Sequence, residues 1–209
     1  VLINLGAYGN FVHDNVIVDN GSGSDPNYGW GVQVQDNGSN GNEIWRKSFD
    51  GDSEAAYLEL DGVAEAADGG LFATGQVGTD CGPAVGGSCD ALLIKTDASG
   101  NEVWRHSYGG AEKDGGFAVA RAADGSALVA GYSRSYGGSI QDPTQAFQWA
   151  DTMLMKIAPD GATNWHKIKG LRPRGADLAQ GLATTADGGF VIAGSSGGNA
   201  ERLIAEAAH

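Results

Sequence analysis

The stretch GNEVWRHSY at residues 100–108 decides the fold, because two counterparts occur elsewhere in the chain. They read GNEIWRKSF at residues 41–49 and GATNWHK at residues 161–167. Tryptophan therefore recurs about every sixty residues, at Trp45, Trp104 and Trp165. A period of this length indicates a repeat architecture in which one unit cannot bury its own apolar face. A solenoid of β-strands has a shorter period, so the spacing favours a propeller.

A second shared block follows each of these stretches. It reads AADGGLFATG at residues 66–75, AADGSALVAG at 122–131 and TADGGFVIAG at 185–194. The Asp-Gly step inside it supplies the positive φ that a tight hairpin needs. The interval from that Asp to the last Gly is seven residues in every copy, which predicts a turn followed by a strand of fixed geometry.

Four strand candidates recur in each unit, and the first of them contains the tryptophan. The third and fourth are apolar runs, such as DALLIK at residues 90–95 and DTMLMK at residues 151–156. Runs of this kind suit strands that are covered on both faces. Antiparallel four-stranded sheets with both faces covered are typical of propeller blades. The pattern therefore predicts an all-β chain built from such sheets.

Residues 90–110 and 123–132 together resemble the β-propeller repeats of secreted and cell-surface bacterial and archaeal proteins. The resemblance extends over residues 36–209, with about 3.5 repeat units around the three tryptophans. It implies an extracellular binding or scaffolding module and carries no catalytic residues. Because propellers have four to eight blades, we expect this chain to be a part of a larger ring, or a ring completed by self-association with a second copy.

The first 35 residues have two interpretations. Residues 10–21 and 29–38 read as the last two strands of a preceding blade, with GNEIW at 41–45 at the expected offset. They also resemble rungs of right-handed parallel β-helices, as in polysaccharide lyases and epimerases. The expected domain division is a partial blade, or β-helix-like rungs, at 1–35, and propeller repeats at 36–209.

Charge and composition limit the partners of the chain. A formal net charge of −13 argues against nucleic acid and anionic membranes, since both require a basic surface. No apolar run of eighteen residues occurs, so membrane insertion is not expected. The 35 glycines suit a chain with many tight turns.

The chain has two cysteines, Cys81 and Cys89, which flank a short glycine-rich loop. Their closeness predicts a local disulfide and hence an oxidising compartment, extracellular, cell-surface or periplasmic. Two free thiols in the cytosol are the alternative. A zinc site would need more ligands than this loop offers.

Two insertions between the third and fourth strands, at residues 78–89 and 133–150, are expected on one rim of the predicted ring. The segment at 171–174 opens on the same rim. Variable loops on a rigid frame are where binding concentrates, and aromatic and arginine side chains suit a carbohydrate or protein surface. The predicted binding residues are Arg134, Tyr136, Phe147, Trp149, Arg172 and Arg174.

One acidic loop has spacing suited to calcium. Asp50, Asp52 and Glu54 alternate like the oxygen ligands of a calcium loop, and Asp61 ends the count. The loop lacks a glycine at its sixth position and ends in Asp rather than the usual bidentate Glu. These four residues form either a calcium site or ordinary acidic turns without a metal, and no other cofactor is expected.

No catalytic residue is predicted, because sequence spacing does not show which carboxylates face each other. The sequence therefore predicts an extracellular, non-catalytic β-propeller module that binds carbohydrate or protein, or spaces other domains. Two alternatives stay open: a polysaccharide-active enzyme of the lyase or epimerase kind, and a purely structural assembly subunit.

Overall fold

The computed structural model describes residues 2–3, 14–19, 30–36, 43–49, 57–79, 81, 88–136, 150–170, 176–196 and 201–204. Fifteen strands lie in these ranges, and none of the ranges contains a helix. The predicted all-β class is therefore confirmed. A helix long and apolar enough to cross a membrane is likewise absent from the described ranges.

The strands form four antiparallel sheets, numbered here in chain order. Sheet I contains β1 (Leu2–Ile3), β2 (Asp14–Asp19), β3 (Trp30–Asp36) and β4 (Glu43–Phe49). Sheet II contains β5 (Tyr57–Glu65), β6 (Leu71–Gly78), β7 (Cys89–Thr96) and β8 (Glu102–Tyr108). Sheet III contains β9 (Asp114–Arg121), β10 (Ala127–Ser133), β11 (Asp151–Ile157) and β12 (Thr163–Lys169). Sheet IV contains β13 (Asp177–Thr184), β14 (Phe190–Ser196) and β15 (Glu201–Ile204).

Each strand that contains one of the three repeat tryptophans, Trp45, Trp104 or Trp165, is the last strand of its sheet rather than the first. The strand β8, with Trp104, pairs with β7 of the preceding sequence unit, and β12 pairs with β11 in the same way. The tight turn at residues 97–100 joins β7 to β8 as a hairpin, whereas residues 109–113 carry the chain to the next sheet. Every four-stranded sheet therefore contains strands from two neighbouring units, a shift of one strand from the grouping that the sequence predicts.

The hairpin turns confirm the predicted role of the Asp-Gly steps. Gly69, Gly125 and Gly188 have φ values of 81°, 83° and 86°, in the left-handed region that favours glycine. In the first of these turns the carboxylate of Asp68 accepts a hydrogen bond from Gly70 N at 3.0 Å. The same left-handed conformation occurs at Gly100 and Gly161, which end the turns into the tryptophan strands.

The last glycine of each second block faces a β-bulge in the neighbouring strand. The register between β9 and β10 shifts at Ala130/Gly131, and β5 and β13 shift at the corresponding places. A Cβ at Gly131 would lie 1.9 Å from the carbonyl oxygen of Gly115. The glycines at 75 and 194 meet a backbone carbonyl just as closely. The bulge therefore explains the constant seven-residue interval.

The sheets stack face to face, and each interface holds its own apolar cluster. Successive side chains of one strand point to opposite faces of the sheet and so contact different neighbouring sheets. On β6, Leu71 packs toward sheet I and Phe72 packs toward sheet III. Trp104 covers the cluster between sheets II and III, and Trp165 covers the next one, with its ring 6.5 Å from Phe190. The predicted covering of these strands on both faces is confirmed for sheets II and III.

The N-terminal strands contradict the β-helix interpretation. The strand β2 pairs with β3 in antiparallel orientation, and β3 pairs with β4 in the same sheet. Rungs of a parallel β-helix pair in parallel orientation, so the resemblance of residues 1–35 to such rungs does not extend to structure. Sheet I instead combines strands from both sides of the expected boundary between residues 35 and 36, which falls inside β3.

The described strands do not close into a ring, so the propeller stays a prediction. Sheet IV has three strands in the described part of the chain, and its outer face is uncovered. Val191 on this face is 40% exposed, whereas its counterparts Phe72 and Leu128 are 0% and 4% exposed. Each of these three residues lies three positions before the glycine that faces a bulge.

Candidate functional site

The predicted disulfide is present. The sulfur atoms of Cys81 and Cys89 are bonded at 2.01 Å, and Cys89 is the first residue of β7. The bond closes the connection between β6 and β7 and is compatible with an oxidising, extracellular environment. No free cysteine remains in the described residues.

The segment that follows β10 lies against the connection between sheets II and III. The segment after β10 contacts the segment after β8, because Arg134 N donates a hydrogen bond to Lys113 O at 3.0 Å. The hydroxyl of Tyr136 donates to Gly109 O, which lies on the same connection. These contacts place Tyr136 directly over the interface between the two sheets.

A cleft of about 230 Å³ opens beside Tyr136, between sheets II and III. We call it the II–III cleft; its lining comprises Ser107, Tyr108, Gly109, Tyr136, Met153, Met155, Thr163 and His166. The Tyr108 hydroxyl donates a hydrogen bond to Gly161 O at 2.9 Å. Burial, with the charge of Asp160, raises the pKa of Tyr108 to about 12, so the phenol keeps its proton at neutral pH.

Tyr136 presents a fixed aromatic surface at the mouth of this cleft. Its backbone N–H donates to the Ser133 hydroxyl oxygen at 3.2 Å, and its own hydroxyl is bound to Gly109 O. One side of its ring lies against the ring of His166, with centroids 5.4 Å apart and planes tilted by 31°. The residue is nevertheless 49% exposed, so a large part of the ring is available to a ligand.

Arg134 lies in the interior, which corrects the surface position expected for it. It is 4% exposed and lies close enough to Tyr132 that its positive charge opposes the rise in the Tyr132 pKa that burial causes. Of the six predicted binding residues, Tyr136 alone is both described and exposed. Four of them lie outside the described residues and stay predictions: Phe147, Trp149, Arg172 and Arg174.

A buried polar group connects sheets II and III beneath the cleft-bearing edge. The Tyr132 hydroxyl donates to Gln76 Oε1 at 2.9 Å, and the Gln76 amide hydrogen-bonds the carboxylate of Asp61. Burial and the nearby charge of Glu59 raise the pKa of Asp61 from 3.8 to about 7, although Gln76 opposes the shift. Asp61 is the bulged residue of β5, between Leu60 and Gly62.

Three of the four residues predicted to bind calcium lie outside the part of the chain that the structure describes. Asp50, Asp52 and Glu54 lie outside the described residues, so their distance from Asp61 stays open to experiment. Among the residues that the structure does describe, no three His, Cys, Asp or Glu side chains converge closely enough to hold a metal ion.

The raised pKa of Asp61 predicts a specific pH dependence of stability. A carboxyl group whose folded pKa exceeds its unfolded pKa stabilises the fold below about pH 4, and this contribution is lost as the pH rises through about 7. Asp61→Asn cannot ionise, so we expect it to become more stable than the wild type by about 1–3 kcal/mol between pH 5 and pH 8.

Urea unfolding at pH 5, 6, 7 and 8 measures this difference. The control is Asp160→Asn, which makes the same substitution at an exposed aspartate in the turn before β12 and so separates the effect of Asp61 from a general change in net charge. Parallel profiles for wild type and Asp61→Asn would show that Asp61 titrates normally.

Two carboxylate pairs bridge the sheets at positions that the sequence analysis did not single out. Asp114 is fully buried and accepts hydrogen bonds from Gly110 N at 2.9 Å and Ser135 Oγ at 2.5 Å. Burial and the charge of Asp114 raise the pKa of Asp90. Asp151 and Asp177 stand in the same relation between sheets III and IV. These aspartates recur at the starts of corresponding strands, and this recurrence in the sequence could have identified them.

A Gly-x-Ser-x-Gly spacing occurs at residues 194–198 and could suggest a hydrolase nucleophile. Ser196 ends β14, paired with Asp177 of β13, and it is buried. A nucleophile elbow needs an exposed serine on a sharp turn from a strand into a helix. Ser196 is 5% exposed, so it lacks the exposure that this arrangement requires.

Comparison with known proteins assigns no family to the chain, so its function has to be inferred from the site. No protein-family model matches the chain, and no curated protein is similar enough to be assigned as a relative. The class that the structure defines is an all-β protein of stacked antiparallel sheets with one internal disulfide.

Proposed function

We propose that this protein is a non-catalytic binding module of the β-propeller type that works in an extracellular, cell-surface or periplasmic setting. Its ligand is a carbohydrate or a protein surface that contacts the II–III cleft. The stacked four-stranded sheets support the propeller type, and the disulfide supports the oxidising setting. A net charge of −13 agrees with a partner that is neither nucleic acid nor anionic membrane.

The exposed, fixed ring of Tyr136 is the observation that carries this proposal. An aromatic ring held in place before binding loses little conformational entropy on contact with a ligand. Its apolar face can stack on a sugar ring or a side chain. The adjoining hydroxyl of Thr163 and the His166 ring add polar groups suited to sugar hydroxyls. This combination favours carbohydrate over protein.

A glycan array, followed by calorimetry on the best glycan, tests the proposal. We expect Tyr136→Ala to weaken binding at least tenfold, a loss of about 1.4 kcal/mol. Tyr57→Ala is the matched control, because Tyr57 is also an exposed tyrosine with its hydroxyl hydrogen-bonded, to Glu59 at 2.7 Å. Equal losses of glycan affinity in both variants would show that the binding site is not at the cleft. An array without any bound glycan would indicate that the ligand is a protein.

Structural assembly is a second candidate, favoured by the uncovered outer face of sheet IV. Val191 and Ala193 are exposed there, although the corresponding faces of β6 and β10 are buried by the next sheet. Apolar sheet faces in repeat architectures are covered by a neighbouring unit. A second copy of the chain, or a further repeat unit, would supply that cover and extend the ring.

A further inference from the structure

The floor of the II–III cleft contains both methionines of the chain. Met153 and Met155 alternate with Leu154 on β11, so their side chains point to the same face of sheet III. Met155 is the direct cross-strand partner of His166 on β12. All three line the cleft, which brings two thioethers and one imidazole to one place.

Sheet II provides an internal comparison for these three positions. The register of the strands makes Met153 and Met155 correspond to two aliphatic residues of β7, and His166 correspond to a basic residue of β8. The corresponding residues are Leu92, Ile94 and Arg105. Aliphatic side chains are therefore sufficient for packing at the first two positions. In sheet III all three corresponding positions hold residues that can bind a metal ion.

The geometry allows the three side chains to reach a common ion. Cβ atoms of directly opposed residues on antiparallel strands lie roughly 4.5–5.5 Å apart, which applies to Met155 and His166. Met153 is two residues along the same strand, about 7 Å away at the backbone. A methionine side chain has three rotatable bonds, so its sulfur can cover this distance.

The donor set selects the kind of ion. Thioether sulfur is a soft ligand that favours Cu(I), and imidazole also binds copper. None of the three side chains supplies an anionic donor atom. Met153 and Met155 are 1% and 3% exposed, which shields the sulfur side of the site from water. The ring of Tyr136 lies against the His166 ring, with the two centroids 5.4 Å apart.

We propose that Met153, Met155 and His166 form a binding site for a soft monovalent metal ion, Cu(I), at the floor of the II–III cleft. Cys81 and Cys89 are joined in the disulfide, so no thiolate competes for the ion. The proposal does not depend on carbohydrate or protein binding, because metal binding is measured on the protein alone.

Metal titration of the tag-free full chain tests the proposal. Cu(I) is supplied under nitrogen with ascorbate, which leaves the disulfide intact, and a coloured Cu(I) chelator competes for it. Silver nitrate serves as a redox-inert probe in a parallel calorimetric titration. We expect one ion per chain, and sulfur neighbours of copper in the X-ray absorption spectrum. Absence of stoichiometric binding to wild type would overturn the proposal.

Three variants assign the ligands. Met153→Leu and Met155→Leu conserve volume, so packing is largely kept, and each should weaken Cu(I) and Ag(I) binding at least tenfold. His166→Gln should do the same. His106→Gln is the matched control: His106 is an exposed histidine on β8 that stacks on Trp104 at 5.3 Å and is not part of the cleft lining.

Two results would contradict this assignment. Unchanged affinity in the double variant M153L/M155L would mean that the methionines only pack. An equal loss in His106→Gln and His166→Gln would mean that histidines bind the ion nonspecifically. Urea unfolding of each metal-free variant checks that a lost site reflects lost ligands rather than a lost fold.

Discussion

Gly131→Ala is expected to lower the free energy of unfolding by about 3 kcal/mol, the upper part of the range for overpacked interiors. The added Cβ would stand 1.9 Å from the carbonyl oxygen of Gly115 and 2.8 Å from its carbonyl carbon. Backbone atoms held in a sheet cannot rotate away as a flexible side chain can. Relief therefore requires separation of β9 and β10 at the bulge, which breaks ladder hydrogen bonds between β10 and the edge strand β9.

Gly181→Ala is the matched control for this change. Gly181 also lies beside a bulge, in β13, but a Cβ there would approach no heavy atom more closely than Ala193 Cβ at 3.5 Å. We expect this variant to stay within about 0.5 kcal/mol of wild type. Urea unfolding followed by tryptophan fluorescence measures both variants. Similar losses of stability in the two variants would indicate that alanine is poorly tolerated anywhere near the bulges, independently of a steric clash.

Leu128→Ala is expected to destabilise the chain by about 2–5 kcal/mol, as is usual for a buried leucine that leaves a cavity. Leu128 is buried between sheets III and IV, in a cluster with Leu154 and Phe190. Val191→Ala removes apolar volume from the corresponding position of sheet IV, which is 40% exposed. Because that face is uncovered, the loss there should be under about 1 kcal/mol.

The same pair of variants separates a monomer from an assembly. If a second copy covers sheet IV in solution, light scattering gives the mass of a dimer, and Val191→Glu restores the monomer. Val191→Ala then costs as much as a buried valine, and its effect depends on protein concentration. A monomeric mass together with a small effect of Val191→Ala would exclude self-association through this face. Comparable losses for Leu128→Ala and Val191→Ala in a monomer would contradict the packing described here.

The strands and turns were predictable because their causes are local. The Asp-Gly step of the second shared block forms a hairpin turn in all three copies, where Gly69, Gly125 and Gly188 adopt the expected left-handed conformation. Sheet membership was less predictable. Five residues separate β8 from the strand on either side of it, and connections of equal length suit a hairpin equally well. Only the packing of whole sheets decides that Trp104 joins the preceding strands.

The candidate site was predictable in part. Tyr136 follows a strand end in a variable loop, and its exposure agrees with that position. Arg134 is two residues earlier, yet it points inward beside Tyr132, because orientation at a strand end depends on the local backbone. The pairing of Met155 with His166 could not be read from spacing, since a register shift between Lys156 and Ile157 alters the alternation of faces.

The one-strand shift between sequence unit and sheet has a consequence for dissection of this protein. Removal of the last sixty-residue unit takes the final strand of sheet III together with the three described strands of sheet IV, so sheet III is left incomplete. The connection at residues 109–113 is the better point for a cut, because it joins the last strand of sheet II to the first strand of sheet III and no sheet is divided there. Engineers who wish to lengthen or permute the chain should open it there.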